Sequence, residues 1–156
     1  ILIGIYKFMK TALLKKLMVF WMVVACMLSH AYATETNNIL EQVEGSARTW
    51  LALIDNEKYA DGWQQASPLL QKKTPQQEWV KTVAELRKSR GTPNARYIAT
   101  ANSAKSLSGF PDGDYVILQF YTTFSEKGLA LEAITLVKSN DTVDSEGWKI
   151  VEYSMR

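Results

Sequence analysis

An α+β domain, three helices followed by a four-stranded antiparallel curved sheet, is the fold class this sequence predicts. Three observations predict it. Apolar residues recur at three and four between residues 39 and 86, the period drops to two after Pro93, and turn residues punctuate the second half at regular intervals.

The first helix is read from Asn37 or Asn38, either of which can cap it. Its apolar positions are Ile39, Val43, Ala47, Trp50, Leu51 and Ile54. Glu44 stands four residues before Arg48, a spacing that supports a helix. Asp55-Asn56 closes it, since both residues tolerate a corner conformation. A second, short helix spans about Glu57 to Ala66, with Tyr59, Ala60, Trp63 and Ala66 on its apolar face. Ser67-Pro68 stops it and offers a cap for a further turn carrying Leu69 and Leu70. Thr74-Pro-Gln-Gln77 has the spacing of a capping box with proline at the first helical position. The third helix then carries Trp79, Val80, Val83, Ala84 and Leu86, and ends at Gly91 and Pro93. The basic cluster Arg87-Lys88-Ser-Arg90 is its last turn, where positive charge complements the helix dipole.

Arg96 to Leu107 is rich in Ala, Ser and Thr, which predicts an outer or strongly curved strand. Phe110-Pro-Asp-Gly113 is a turn. Tyr115 to Phe124 and Leu129 to Lys138 are two strong strands around the hairpin signal Ser125-Glu-Lys-Gly128. A polar loop leads to the last strand, Trp148 to Met155. Trp50, Trp63 and Trp79 are expected to point from the helices toward the sheet.

The first 33 residues stand apart. Met9 to Lys16 is basic, Leu17 to Leu28 is an apolar run, and Ala31-Tyr-Ala33 is a small-x-small cleavage signal, the anatomy of a secretory signal peptide. Residues 1–8 are taken as spurious upstream sequence, and residues 34–156 as a single domain. The run is too short for a stable transmembrane helix, which needs roughly 20 apolar residues. Export to the periplasm or beyond the cell is therefore expected, with cleavage after Ala33. Val23-Val-Ala-Cys26 offers an alternative, a lipobox that would anchor the chain through a lipid on Cys26. The apolar residues Met27 and Leu28, which prolong the run, favour soluble export.

Removing this leader changes what chemistry remains. Lys7, Lys10, Lys15 and Lys16 are four of the chain's 18 basic residues and none of its 16 acids lies here, so the remainder carries a net charge of −2. Such a domain is a poor nucleic-acid binder, because phosphate neutralisation dominates that affinity. The only cysteine, Cys26, and the only histidine, His30, leave as well. A thiol nucleophile, a Ser-His-Asp triad, a disulfide and an imidazole or thiolate metal site are excluded with them, and no cofactor is expected.

The pattern Trp50-Leu-x-Leu-Ile-Asp55-x-x-x-Tyr59-x-x-x-Trp63, then Gln77-x-Trp79, Pro111-Asp-Gly-Asp-Tyr115-Val, Phe120, Glu132-Ala-Ile-Thr135 and Gly147-Trp148-Lys resembles the exported bacterial family DUF4019, a domain of unknown function. The resemblance covers about Ala47 to Arg156. It implies a cone-shaped fold of the cystatin or nuclear-transport-factor-2 type, and it supplies no catalytic motif.

Three sets of residues are candidates for a site. Asp55 and Tyr59, four apart, pair an acid with a phenol suited to proton transfer; structurally, Asp55 caps the second helix and Tyr59 packs under the sheet. Glu132 shares the face of Ile134 and Leu136, so it is either a buried carboxylate with a raised pKa or a structural residue, solvated near an exposed edge or hydrogen-bonded beside Tyr121 or Thr122. Which of these it meets depends on whether a bulge occurs at Gly128. Trp63, Trp79, Tyr115, Tyr121, Trp148 and Tyr153 either line a pocket between helices and sheet or form the core. The expected function is a non-enzymatic module binding a protein or a small apolar ligand; the alternative is a cofactor-free acid/base enzyme using Asp55, Tyr59 or Glu132.

Overall fold

Helices and sheet meet along one face of the sheet, and the apolar period of each element decides which residues go there. The computed structural model describes residues 38–139 and 147–156. The expected leader with Cys26, the expected cleavage after Ala33 and residues 140–146 lie outside those residues.

Helix α1 (residues 38–55) buries Val43, Ala47, Trp50, Leu51 and Ile54 on one stripe, while Ile39 is exposed. The predicted Glu44–Arg48 pair forms at 2.6 Å. Asp55 does not make the corner that follows. Asn56 does, donating from its side chain to the Ala52 carbonyl at 2.6 Å, and Glu57 takes the left-handed conformation at φ 58°. Helix α2 (Tyr59–Gln65) starts without a side-chain cap, so the reading of Asp55 as a capping residue is corrected. Gly62 fixes how closely α2 approaches α1. A Cβ there would lie 2.8 Å from Ile54 Cδ1, and its carbonyl accepts the Trp50 indole N–H at 2.8 Å.

The turn after Ser67 is a helix of its own, α3 (Pro68–Lys73), capped by the Ser67 hydroxyl accepting from the Leu69 amide at 3.1 Å. Among the described residues there are therefore four helices where the sequence predicts three and a turn. Helix α4 (Gln76–Arg87) starts directly after Pro75 without a side-chain capping bond, so the predicted capping box at Thr74 does not form. Thr74 instead serves through its backbone, its carbonyl accepting the Trp63 indole N–H at 2.9 Å.

The four strands β1 (Pro93–Ala104), β2 (Tyr115–Phe124), β3 (Gly128–Ser139) and β4 (Gly147–Met155) form an antiparallel sheet in sequence order. The order places β1 at an edge, as its composition suggests, with register breaks between Pro93 and Ala95 and between Ile98 and Thr100. The β2–β3 hairpin runs without a break to the pair Phe124–Gly128, so no bulge occurs at Gly128, whose φ of 66° instead closes the turn. A bulge lies between β3 and β4, where Thr135 opposes Glu152 and Leu136 opposes Ile150, leaving Val151 as the extra residue.

Alternation places Val116, Leu118, Phe120 and Thr122 on the buried face of β2, with Glu132, Ile134 and Leu136 beside them on β3. These join α1, Ala66, Leu70, Trp79 and Val83 in one core. Trp50 stands at its centre, edge-on to Trp79 at 5.9 Å and to Tyr153 at 5.4 Å between centroids. Trp63, expected at the sheet, is only half-buried and packs on the margin of the core. Residues Leu40–Arg156 constitute one compact unit, and no helix among the described residues is long and apolar enough to cross a membrane.

Candidate functional site

Four charged residues converge where the helix ends meet the hairpin end of the sheet. α1 ends on Asp55, α4 ends on Arg87, the strand period turns Arg96 of β1 inward two residues before Ile98, and Glu132 occupies the inward row of β3. A carboxylate at the end of one helix and an arginine at the end of another are brought together only because both helices terminate over the same part of the sheet.

The contacts form a closed ring. Asp55 accepts from Arg96 Nη1 at 2.9 Å, from Arg96 Nη2 at 3.0 Å and from Arg87 Nη2 at 2.8 Å. Glu132 accepts from Arg87 Nη1 at 3.2 Å and Arg96 Nε at 2.7 Å. Two neutral donors complete it: the Thr122 hydroxyl at 2.5 Å and the Tyr153 hydroxyl at 2.7 Å. A carboxylate has about four acceptor sites, and those of Glu132 are all occupied. Two guanidinium groups cancel two carboxylates, the Arg87 guanidinium also stacks 4.8 Å from the Phe124 ring centroid, and no buried side-chain polar atom among the described residues lacks a partner.

Burial makes these contacts consequential. Glu132 is fully buried and the Arg87 and Arg96 side chains are nearly so, while the Asp55 side chain keeps 18% of its surface in contact with solvent. Burial and the charge of Glu132 push the Tyr153 hydroxyl far above its ordinary pKa, so Tyr153 acts here as a donor. For Arg96, burial opposes the charge, but hydrogen bonds to Asp55 and Glu132 outweigh it and hold the proton more tightly than usual. Tyr59 is raised by burial and by Glu57, partly offset by Arg87 and reinforced by Asp55.

Of the candidates read from sequence, Asp55 and Glu132 meet in this ring, and Glu132 is bonded to Thr122 and not to Tyr121. Tyr59 lines a surface hollow of about 550 Å³ together with Asp55, Ala84, Arg87 and Thr92, but makes no hydrogen bond to the ring. Tyr121 is 52% exposed on the opposite face of the sheet, cross-strand from the equally outward Tyr97. Tyr115 shares that outward row and is buried by the β1–β2 loop, its hydroxyl donating to the Pro111 carbonyl at 2.6 Å. Trp63 is turned toward Thr74. The six aromatic residues therefore do not line one pocket. Among the described residues no group of His, Cys, Asp and Glu has the arrangement of a metal site.

Arg87 and Arg96 are the two site residues that sequence reading missed. Both carried a signal: Arg87 continues the Trp79–Val83 stripe four residues on, and Arg96 shares the inward row of Ile98.

No curated protein matches the chain. The family profile described as a protein of unknown function, DUF4019, matches residues 46–153, a span that begins within α1, ends at Tyr153 and takes in every member of the ring. On that match, the chain belongs to the DUF4019 family.

Proposed function

We propose that this chain is an exported, non-enzymatic binding module whose partner is a protein or a small apolar ligand. One observation carries the reading. The carboxylates that an acid/base mechanism would recruit are each bound by the same two arginines: the four acceptor positions of Glu132 are all taken, and Asp55, which keeps some contact with solvent, commits three of its own to guanidinium N–H groups. A general base must present a lone pair to its substrate, and here guanidinium competes for it at both carboxylates.

The outer face of the sheet favours binding. Tyr97, Tyr121 and Leu129 expose 69%, 52% and 63% of their surface near its hairpin end, on the side away from the helices. Large exposed aromatic and aliphatic groups gathered on one face are the usual material of an interaction surface. The leader supports export, with soluble release favoured over a lipid on Cys26.

The test uses the protein isolated from its native compartment. Its intact mass should begin at Thr34 without a lipid adduct, and native mass spectrometry should find a bound protein or small molecule. A diacylglycerol on Cys26 would overturn soluble release. The binding reading fails if a substrate is turned over by the wild type and left untouched by an Asp55→Asn or Glu132→Gln variant that is still folded.

A further inference from the structure

The β4 edge carries a second feature, and it deepens the binding reading, on which it rests. Ile150 of β4 offers its carbonyl away from the sheet, where it accepts the Ser67 amide at 2.8 Å. Side chains and main-chain bonding directions both repeat every two residues along a strand. Trp148, two residues earlier, therefore turns its N–H and C=O outward as well. Its neighbour on β3 gives the same answer independently: Lys138 opposes Trp148 and sends its own amide the other way, to the Asp114 carbonyl at 2.8 Å. The Lys138–Trp148 pair is thus a non-hydrogen-bonded one, and no described residue takes up the outward pair of bonds at Trp148.

This short stretch of edge borders a groove of about 560 Å³ whose other wall is α1. Gly45, Ser46 and Thr49 line the helix side, and Lys138, Trp148 and Lys149 the sheet side. A Cβ on Gly45 would meet nothing within 4 Å, so the wall is open at that position. Both ionic residues of the lining are lysines. Ser67 closes the groove at Ile150, which limits any added strand to a few residues.

We propose that this groove binds a short extended peptide with acidic side chains, added as a strand to β4 through the Trp148 backbone and bordered by α1. The main-chain pair at Trp148 sets the extended conformation, as in other recognition by strand addition. Period-two side chains of the peptide then fall alternately toward α1 and toward the outer sheet face. Trp148 offers an apolar surface to the residues turned inward, and Lys149, the next residue and on the outer face, selects a carboxylate turned that way.

The test is an amide NMR titration of the leader-free protein with a blocked pentapeptide of alternating valine and glutamate, against its valine–lysine counterpart. The acidic peptide should shift the Trp148 amide in a saturable way and slow its exchange with solvent. Gly45→Leu should weaken binding by about tenfold or more without lowering Tm, since leucine fills the groove from α1 and suits a helix better than glycine. Lys149→Glu should reverse the preference toward the valine–lysine peptide. A Trp148 amide already protected in the free protein overturns the proposal, because the protein's own chain would then fill the groove. It is likewise overturned by no shift at millimolar acidic peptide, or by unchanged binding in Gly45→Leu. Shifts at Tyr97 and Tyr121 would overturn the groove while leaving the binding reading standing.

Discussion

The buried layer between helices and sheet is made of two unlike halves. Around Val43, Ala47, Leu51, Leu136 and Ile150 it is dry hydrocarbon, whereas around Glu132 it is a ring of four charges closed by two hydroxyls. The apolar half is sealed from solvent and the ionic half nearly so, yet they hold for different reasons. The apolar half gains with every area removed from water and tolerates a change of shape. The ionic half gains little over an apolar replacement, because desolvating four charges offsets most of their attraction, but it is intolerant of losing one member. What the ionic half supplies is register. A slip of β1 by one residue against β2 would turn Arg96 to the outer face and leave both acids with a single guanidinium.

Trp50 joins the two halves, packing on Trp79 in one direction and on Tyr153, a donor to Glu132, in the other. Its replacement should therefore cause the largest loss. Trp50→Ala removes a nearly fully buried indole and orphans the Gly62 carbonyl, and should cost about 5 kcal/mol, the upper end for a core tryptophan. Chemical denaturation measures it. A loss under about 2 kcal/mol would mean that the halves are independent and that Trp50 does not bridge them.

Arg96→Met compares the halves most directly. Methionine keeps much of the volume but removes two bonds to Asp55 and one to Glu132, so that each carboxylate keeps a single guanidinium bond, from Arg87. Leaving buried carboxylates under-compensated should cost about 3–5 kcal/mol. Replacing the rest of the ring in the same chain, with Asp55→Leu, Arg87→Met and Glu132→Met and with Thr122→Val and Tyr153→Phe for the two hydroxyls, should recover most of it, since a complete apolar set of similar volume is close to neutral. Failure of this full replacement to recover would show that the ring contributes stability beyond register.

The two halves also differ in how well the sequence discloses them. The apolar half was legible because its signal is local: the three-and-four spacing of α1 and the alternation of β2 name Trp50, Leu118 and Phe120 from neighbours a few residues away. Strand β2 begins and ends where its flanking Pro111-Asp-Gly113 and Ser125-Glu-Lys-Gly128 turns require. The ring was not legible, because its partners are joined only by the fold. Asp55 reads locally as a corner residue and Arg87 as a helix-terminal cation, both ordinary roles, and nothing between them in sequence states that α1 and α4 end over the same strand. Trp63 misled for a related reason. Its helical spacing from Tyr59 marks an inward face, but α2 is so short that the face meets the α3–α4 connection before it reaches the sheet.

That position makes Trp63 a calibration between core and surface. Being half-buried, with one hydrogen bond to the Thr74 carbonyl, it should lose about 2 kcal/mol on replacement by alanine, roughly half the core value. A Tm drop as large as that of Trp50→Ala would place it in the core after all. An unchanged Tm accompanied by lost binding would make it a recognition residue.

The smallest expected effect at neutral pH is the most specific to the ionic half. Tyr153→Phe keeps the ring against Trp50 and removes only the hydroxyl, so Glu132 loses one of four donors, at a cost of about 1.5 kcal/mol for a bond to a charged group. The variant also changes the response to alkali. In the unfolded chain Tyr153 ionises near its ordinary value of 10.0, whereas in the fold burial and the Glu132 charge keep it protonated well above that. Above pH 10.0 the unfolded chain therefore releases a proton that the folded one retains, and linkage makes stability fall as pH rises. Denaturation midpoints of the wild type should decline more steeply above that pH than those of Tyr153→Phe, and the two curves should converge. Parallel curves through the alkaline range would mean that the Tyr153 hydroxyl is not held by Glu132 in solution, and would break the ring at that contact.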